Sequence, residues 1–308
     1  PIDVAELQNQ FQSISAMGRS WRQDIGGINI INPVLTDLIA AIDRKKKSIL
    51  LTGEPGSGKT CVMLALQETL EERARKSNNL TPLFIQSRDF ADLSSTEERE
   101  SFGLPKNWVE LVARMSDNRH VVIIIDSLDV LSIAREHKAL NYFLTQIERL
   151  LLIPNVTTVT SCRSFDRHYD PKISVQNWDY ELLCQPLNWD AQVFPLLNQL
   201  SISAHSIDDA TRSLIKNPRE LALFVELAQK QGGFSVPTGQ ALAQKYLNTI
   251  VQGNPQLSDS AVLAIEQMAK DMLESRSLSI PQQRFSASEN IRRMLLSHNI
   301  LHQTADDK

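Results

Sequence analysis

The sequence predicts an α/β fold in which helices cover a five-stranded parallel sheet and an all-helical region follows it. Two patterns carry this expectation. From residue 48 onward, short apolar runs alternate with amphipathic segments, as strands buried on both faces of a parallel sheet require. After Pro186 the strand-like runs stop and only helical periodicity continues.

The five candidate strands are 48–52, 82–86, 121–126, 156–161 and 180–184. Between them, Val62, Ala65, Leu66, Thr69 and Leu70 recur at helical spacing, as do Leu140, Phe143, Leu144, Ile147, Leu150 and Leu151. Those stripes are expected to pack on the sheet. Beyond Pro186, helices are expected over 191–200, 206–215, 218–230, 239–251 and 260–274. The run Gly232-Gly233-Phe234-Ser235-Val236-Pro237 punctuates this stretch and separates two helical units.

A chain of 308 residues, 42% of them hydrophobic, can bury a sizeable core and exceeds the usual size of one domain. The 32 basic residues against 36 acidic ones give a net charge of −4, so no global basic field indicates a nucleic-acid partner. Cys61, Cys162 and Cys184 are odd in number and widely spaced, which fits neither a disulfide framework nor a zinc site. A reducing, cytoplasmic setting is expected. No membrane segment is expected either, because no run of 18 apolar residues occurs. The chain starts with Pro1 and is expected to be a piece of something longer.

The most specific motif is Gly53-Glu54-Pro55-Gly56-Ser57-Gly58-Lys59-Thr60, which fits G-x-x-x-x-G-K-[ST] at every fixed position. A strand ends just before it, and a helix is expected from Cys61 to Arg75. Glycines let backbone N–H groups turn inward around an anion, and the positive end of the helix adds to the attraction. Lys59 can reach the β- and γ-phosphates of a nucleoside triphosphate, and the Thr60 hydroxyl can coordinate Mg²⁺. ATP is expected over GTP because no Asn-Lys-x-Asp base-reading motif occurs.

His120-Val121-Val122-Ile123-Ile124-Ile125-Asp126 is an almost wholly apolar strand that ends in a carboxylate. Asp126 is expected at the ligand-binding edge, holding Mg²⁺ directly or through water. Asp129, three residues on, is a candidate general base. Thr160-Ser161-Cys162-Arg163 closes a further strand. If that strand lies beside the first, Arg163 projects toward the γ-phosphate and can stabilise charge there.

These residues resemble a STAND-class signal-transduction ATPase of the AAA+ superfamily, closest to its NACHT branch. The resemblance rests on Gly53 to Thr60, on Asp126-Ser127-Leu128-Asp129 and on Thr160-Ser161-Cys162-Arg163, which is similar to the family's sensor strand. Lys216-Asn217-Pro218-Arg219-Glu220-Leu221-Ala222-Leu223 resembles the helical-domain motif whose proline packs near adenine, which assigns Pro218 to nucleotide contact. Cys61, the residue after the motif, is counted with the nucleotide-binding residues; the stretch from Met17 to Arg22 sits where family members contact adenine, and its aromatic and two cations fit a partner-facing surface equally well. Residues 264–274 and 294–301 look like the unit that closes over the nucleotide. The implied fold is a P-loop NTPase sheet, then an all-helical domain and a partial winged-helix-like unit. The expected domains are a helical lead-in over 1–47, a nucleotide-binding domain over 48–186, a helical domain over 187–233 and a truncated winged-helix-like domain over 234–308. Two departures stand out: Val130 follows Asp129 where the branch often has Glu, and the chain is expected to end before the strand that carries the family's winged-helix histidine. His298 and His302 are not assigned to that role.

The resemblance implies a switch that cycles between ATP and ADP with Mg²⁺, hydrolyses slowly, rearranges its domains and forms homo-oligomers in defence or stress signalling. Effector and sensor domains would flank this chain. Two other readings stand beside it: an AAA+ ATPase working continuously on a protein or nucleic acid, and a scaffold that only binds nucleotide. The first of these normally carries an Asp-Glu pair, and Asp126-Ser127 lacks the Glu.

Overall fold

The computed structural model describes residues 24–301 except 78, 91–92, 94, 134–137, 231–243, 245–246, 255–256, 276–279 and 298–299. The stretch from Met17 to Arg22, the Gly232 to Pro237 break, His298 and His302 therefore lie outside the described residues. Two compact units emerge: one over 1–24, 29–53 and 57–185, the other over 25–28, 54–56 and 186–308.

The first unit holds a parallel sheet of β1 (Ser48–Thr52), β2 (Leu80–Gln86), β3 (His120–Asp126), β4 (Val156–Ser161) and β5 (Tyr180–Leu183). The strands lie in the order β2-β3-β4-β1-β5, so β1 sits between β4 and β5. The expected strands correspond to these five within two residues at each end.

Alternation along each strand sends side chains to two separate cores. Leu83, Ile85, Val121, Ile123 and Ile125 enter one, together with Trp108, Val112 and Met115 of α4 (Trp108–Ser116) and Leu140, Phe143 and Ile147 of α6 (Lys138–Leu151). Phe84, Val122, Ile124, Ile49 and Leu51 enter the other, beneath α1 (Val34–Asp43) and α2 (Lys59–Lys76). Each fully buried Ile, Leu or Phe contributes about 1.5–3 kcal/mol of transfer free energy. Strand β3, buried over its last six residues, is the apolar spine of the unit.

Among the helices of this unit that have no counterpart in the sequence expectations, α4 included, are two short ones. One is α3 (Thr96–Ser101), set by a capping box in which the Ser95 hydroxyl accepts from the Glu98 backbone N–H and the Glu98 carboxylate accepts from the Ser95 N–H. The other is α7 (Ser164–Tyr169), which follows Arg163 directly. Between them in the chain, α5 (Leu128–Ile133) starts just after β3.

In the second unit, a π-helical turn over Trp189–Val193 runs into α8 (Phe194–Gln199), where a single regular helix over 191–200 is expected. Helix α8 opens on Phe194 and takes Pro195 within its first turn, where a missing N–H leaves no helical hydrogen bond unmade. The further α-helices include α9 (Asp209–Leu214), α10 (Pro218–Lys230), α11 (Ser258–Ser275) and α12 (Glu289–Ser297), with a π-helical stretch over Leu247–Gln252 and a 3-10 turn over Gln282–Arg284 between them. Among the described residues no strand follows Leu183.

Candidate functional site

The phosphate loop leaves β1 at Gly53 and enters α2 at Lys59. Gly56 at φ 78° and Gly58 at φ 89° lie in the left-handed region, which glycine adopts without a Cβ penalty. At Gly56 a Cβ would also stand 2.7 Å from the Arg219 Cβ and the Asn217 Oδ1. Gly53 is just as confined, because a Cβ there would meet the Ser57 Oγ at 2.7 Å and the Cys184 Cβ at 3.0 Å. Glu54 is exposed, whereas Pro55 and Ser57 are buried.

Lys59 Nζ donates to the Gly53 carbonyl at 2.8 Å, folding the side chain back along the loop. Burial pulls its pKa below the ordinary 10.5; Asp129 opposes that shift and Arg163 adds to it. The folded protein therefore binds this proton less tightly than the unfolded chain, and stability rises with pH between the lowered value and 10.5. In Lys59→Met that rise is expected to vanish, measured as the difference in unfolding free energy between the two proteins across this window. Saturating ATP, whose phosphates favour the charged ammonium, is expected to abolish it in the wild type.

Asp126 is fully buried at the end of β3, and three hydroxyls hold its carboxylate. Thr60 Oγ1 donates to Oδ2 at 2.8 Å, Ser127 Oγ donates to Oδ2 at 3.1 Å, and Ser161 Oγ donates to Oδ1. Ser161 in turn accepts from the Ser127 backbone N–H at 2.8 Å, which ties β4 to the end of β3. Thr60 and Asp126 thus place two hard oxygens side by side at a helix N-terminus, a donor set that suits Mg²⁺. Among the described residues no group of three or more His, Cys, Asp or Glu could hold a metal. A Mg²⁺ ion that takes one or two protein oxygens plus phosphates and water needs no such cage.

Asp129 and Arg163, given separate roles by the sequence, are joined in the structure. Arg163 Nε lies 2.9 Å from Asp129 Oδ2, with only 12% and 4% of the two side chains exposed. Ser127, at φ 64°, is the single residue between the end of β3 and α5, whose first turn carries Asp129. Just past Arg163, the Ser164 backbone N–H donates to the Gly53 carbonyl at 3.2 Å, which brings the start of α7 to the start of the loop.

Nothing in the sequence gives Cys184 a part in the site. Its Sγ donates to the Ser57 carbonyl at 3.1 Å and accepts from Asn32 Nδ2 at 3.4 Å, so a thiol just past β5 supports the loop. Burial pushes the Cys61 and Cys184 thiols up and the Cys162 thiol well above its ordinary range, which keeps all three protonated and unreactive.

Within the second unit, Pro218 opens α10 between two residues that bond to the loop tip. Asn217 Nδ2 donates to the Pro55 carbonyl at 2.8 Å, and the Arg219 backbone N–H donates to the Gly56 carbonyl at 3.2 Å. Arg219 also pairs with the buried Glu220 at 3.0 Å. The sequence motif contains Asn217 and Arg219 but gives neither a role of its own. An amide and a cation flanking a helix-opening proline are the available signal.

Residues 49–180 match the family described as ATPase family associated with various cellular activities (AAA). None of the curated proteins matches the sequence. Among solved structures, a Walker-type ATPase of Pyrococcus abyssi is similar with a TM-score of 0.53 at 15% identity, covering 88% of this chain and 90% of its own. The ORC2 protein of Aeropyrum pernix, solved as ADPNP-ADP complexes, reaches 0.49 at 11% identity and covers 90% of each chain. The ORC1 protein of Aeropyrum pernix, solved in complex with DNA, reaches 0.47 at 19% identity and covers 89% of this chain and 80% of its own. At such identities the likeness to the Pyrococcus structure speaks for the fold alone. No helix among the described residues is long and apolar enough to cross a membrane.

Proposed function

We propose that the AAA-type ATPase domain over residues 49–180 binds Mg²⁺–ATP in the loop Gly53 to Thr60 and hydrolyses it slowly, as a switch and not as a motor. The observation that carries this reading is the buried Asp129–Arg163 pair. Asp126 is followed by Ser127, so Asp129 is the carboxylate left to act as general base, and here its charge is committed to Arg163. Water activation then requires that pair to loosen, which makes turnover depend on a rearrangement as well as on ATP.

In this reading Lys59 binds the β- and γ-phosphates, Thr60 and Asp126 hold Mg²⁺, and Arg163 neutralises charge at the γ-phosphate once released. Mg²⁺ supplies Lewis-acid neutralisation of the phosphate oxygens. Gly53, Glu54, Pro55, Gly56, Ser57, Gly58 and Cys61 contribute the loop and the first turn of the helix, and the resemblance alone assigns Pro218 to nucleotide contact. The STAND-type role, with domain rearrangement, oligomerisation and a place in defence or stress signalling, rests on the resemblance of the Asp126-Ser127-Leu128-Asp129 and Lys216 to Leu223 motifs. The division of the region after 186 into a helical and a winged-helix-like domain has the same support.

The match of residues 49–180 to the broader AAA family favours a second reading, an ATPase that works continuously on a protein or nucleic acid. One experiment separates them: phosphate release from Mg²⁺–ATP by the purified protein, alone and with duplex DNA or an unfolded protein. A basal turnover below about 1 s⁻¹, the low end of the usual enzymatic range, is expected. Neither addition is expected to raise it. Fast turnover, or a sharp rise with either addition, would replace the switch by the second reading.

A further inference from the structure

The carboxyl edge of the sheet holds one side chain that no assignment above uses. Gln86 ends β2 and is 1% exposed. Neither its amide nitrogen nor its amide oxygen has a hydrogen-bond partner among the described residues. A carboxamide offers two donors and two acceptor lone pairs. Burying all of them unmatched is a rare exception in folded proteins and calls for a water, an ion or a ligand as partner.

Position narrows that choice. Gln86 is the register partner of Asp126. Neighbouring strands stand roughly 4.8 Å apart, so the two backbones are adjacent at the edge where the phosphate loop begins. Register partners in a parallel pair share a face. Phe84 and Ile124 lie in the core beneath α2, while Ile85 and Ile125 lie in the opposite one. Two residues on from Phe84 and Ile124, Gln86 and Asp126 therefore share the α2 side, where Thr60 meets Asp126.

The next residue fixes this arrangement. Ser87 Oγ donates to the carbonyls of both Asp126 and Ser127, so the end of β2 is bound to the end of β3. An apolar side chain of the same length would fill the space at Gln86 without leaving any polar group unmatched. An amide is therefore worth its cost only if a polar partner comes to it.

Resting on the ATPase reading above, we propose that Gln86 is a positioning residue of the cation site, its carboxamide oxygen accepting from a water in the hydration shell of the Mg²⁺ held by Thr60 and Asp126. Mg²⁺ gives up its waters reluctantly, and those waters are strong donors, which matches an acceptor placed one strand away from the carboxylate. Outer groups of this kind typically change metal affinity by about 10–100-fold.

The test compares wild type, Gln86→Met and Gln86→Glu in titrations of a fluorescent, non-hydrolysable ATP analogue, once in EDTA and once in Mg²⁺. Gln86→Met keeps the length and removes the acceptor, and Gln86→Glu restores one. The expected result is an affinity in EDTA unchanged within about twofold for Gln86→Met, with the gain from Mg²⁺ reduced about tenfold. Gln86→Glu is expected to keep most of that gain. Thermal unfolding without nucleotide checks that each variant is folded; should Gln86→Met fail to fold, Gln86→Leu takes its place.

An undiminished Mg²⁺ gain in Gln86→Met would overturn the role of Gln86 and leave the ATPase reading standing. So would equal losses in EDTA and Mg²⁺, or a Gln86→Glu as impaired as Gln86→Met. A wild type that neither binds the analogue more tightly with Mg²⁺ nor hydrolyses ATP would overturn the ATPase reading itself.

Discussion

Replacing Lys59 with alanine is expected to weaken ATP binding by at least about a hundredfold while the protein stays folded. Hydrogen bonds to charged groups contribute about 1.5–3 kcal/mol each, and two phosphate contacts of that kind exceed the roughly 2.7 kcal/mol that a hundredfold change in Kd requires. The fold has little to lose in exchange. Lys59 caps its own loop through the Gly53 carbonyl, yet its buried ammonium is held in a setting that disfavours the charge. Calorimetric titration of ATP measures the affinity, and thermal unfolding without nucleotide measures the fold. An affinity within about threefold of wild type, a difference under 1 kcal/mol, would mean that phosphates do not bind in this loop.

The second large effect concerns the Arg163–Asp129 pair. Removing one partner of a buried ion pair strands the other charge, which costs about 3–5 kcal/mol. Arg163→Met alone and Asp129→Leu alone are each expected to lose stability on that scale in urea unfolding. The double variant is expected to recover most of the loss, since two apolar side chains leave neither member of the pair stranded as an unpartnered charge. Hydrolysis should not recover with it. If Arg163 serves the γ-phosphate and Asp129 the attacking water, the double variant is folded and inactive, with ATP affinity largely kept. Stability and turnover restored together would confine the pair to a structural role.

The sheet is readable in the sequence because parallel strands covered on both faces leave nearly continuous apolar runs. Val121 to Ile125 leave no competing period, and a surface helix would have exposed part of such a run. Gly53 to Thr60 is readable because a tight backbone needs glycine at fixed places, whatever the surroundings. The pairing of Arg163 with Asp129 is not readable. It depends on β4 lying between β3 and β1, and on Ser127 accepting a left-handed backbone that serine rarely adopts. Gln86 is hidden for a related reason, since one polar residue at the end of an apolar run looks like the edge of a strand until register sets it beside Asp126. The helix α3 is legible in principle from Ser95 and Glu98, a capping box. Without a long apolar stripe behind it, that signal is easily passed over.

Strand β1 is the earliest strand of its sheet in the chain and the one flanked by the two latest. The Ile49 carbonyl accepts from Thr160, 111 residues further along, and the Thr52 side chain reaches the Leu182 carbonyl, 130 residues further along. On a ribosome, β2, β3 and β4 can therefore assemble before β1 has both neighbours. The segment that shapes Gly53 to Thr60 is made among the first and finished among the last, because distant pairings must wait for the chain between them to order. Until Cys184 emerges, the bond that braces Ser57 cannot form, so on the ATPase reading proposed above nucleotide is expected to stabilise the domain fully only once synthesis has passed that cysteine.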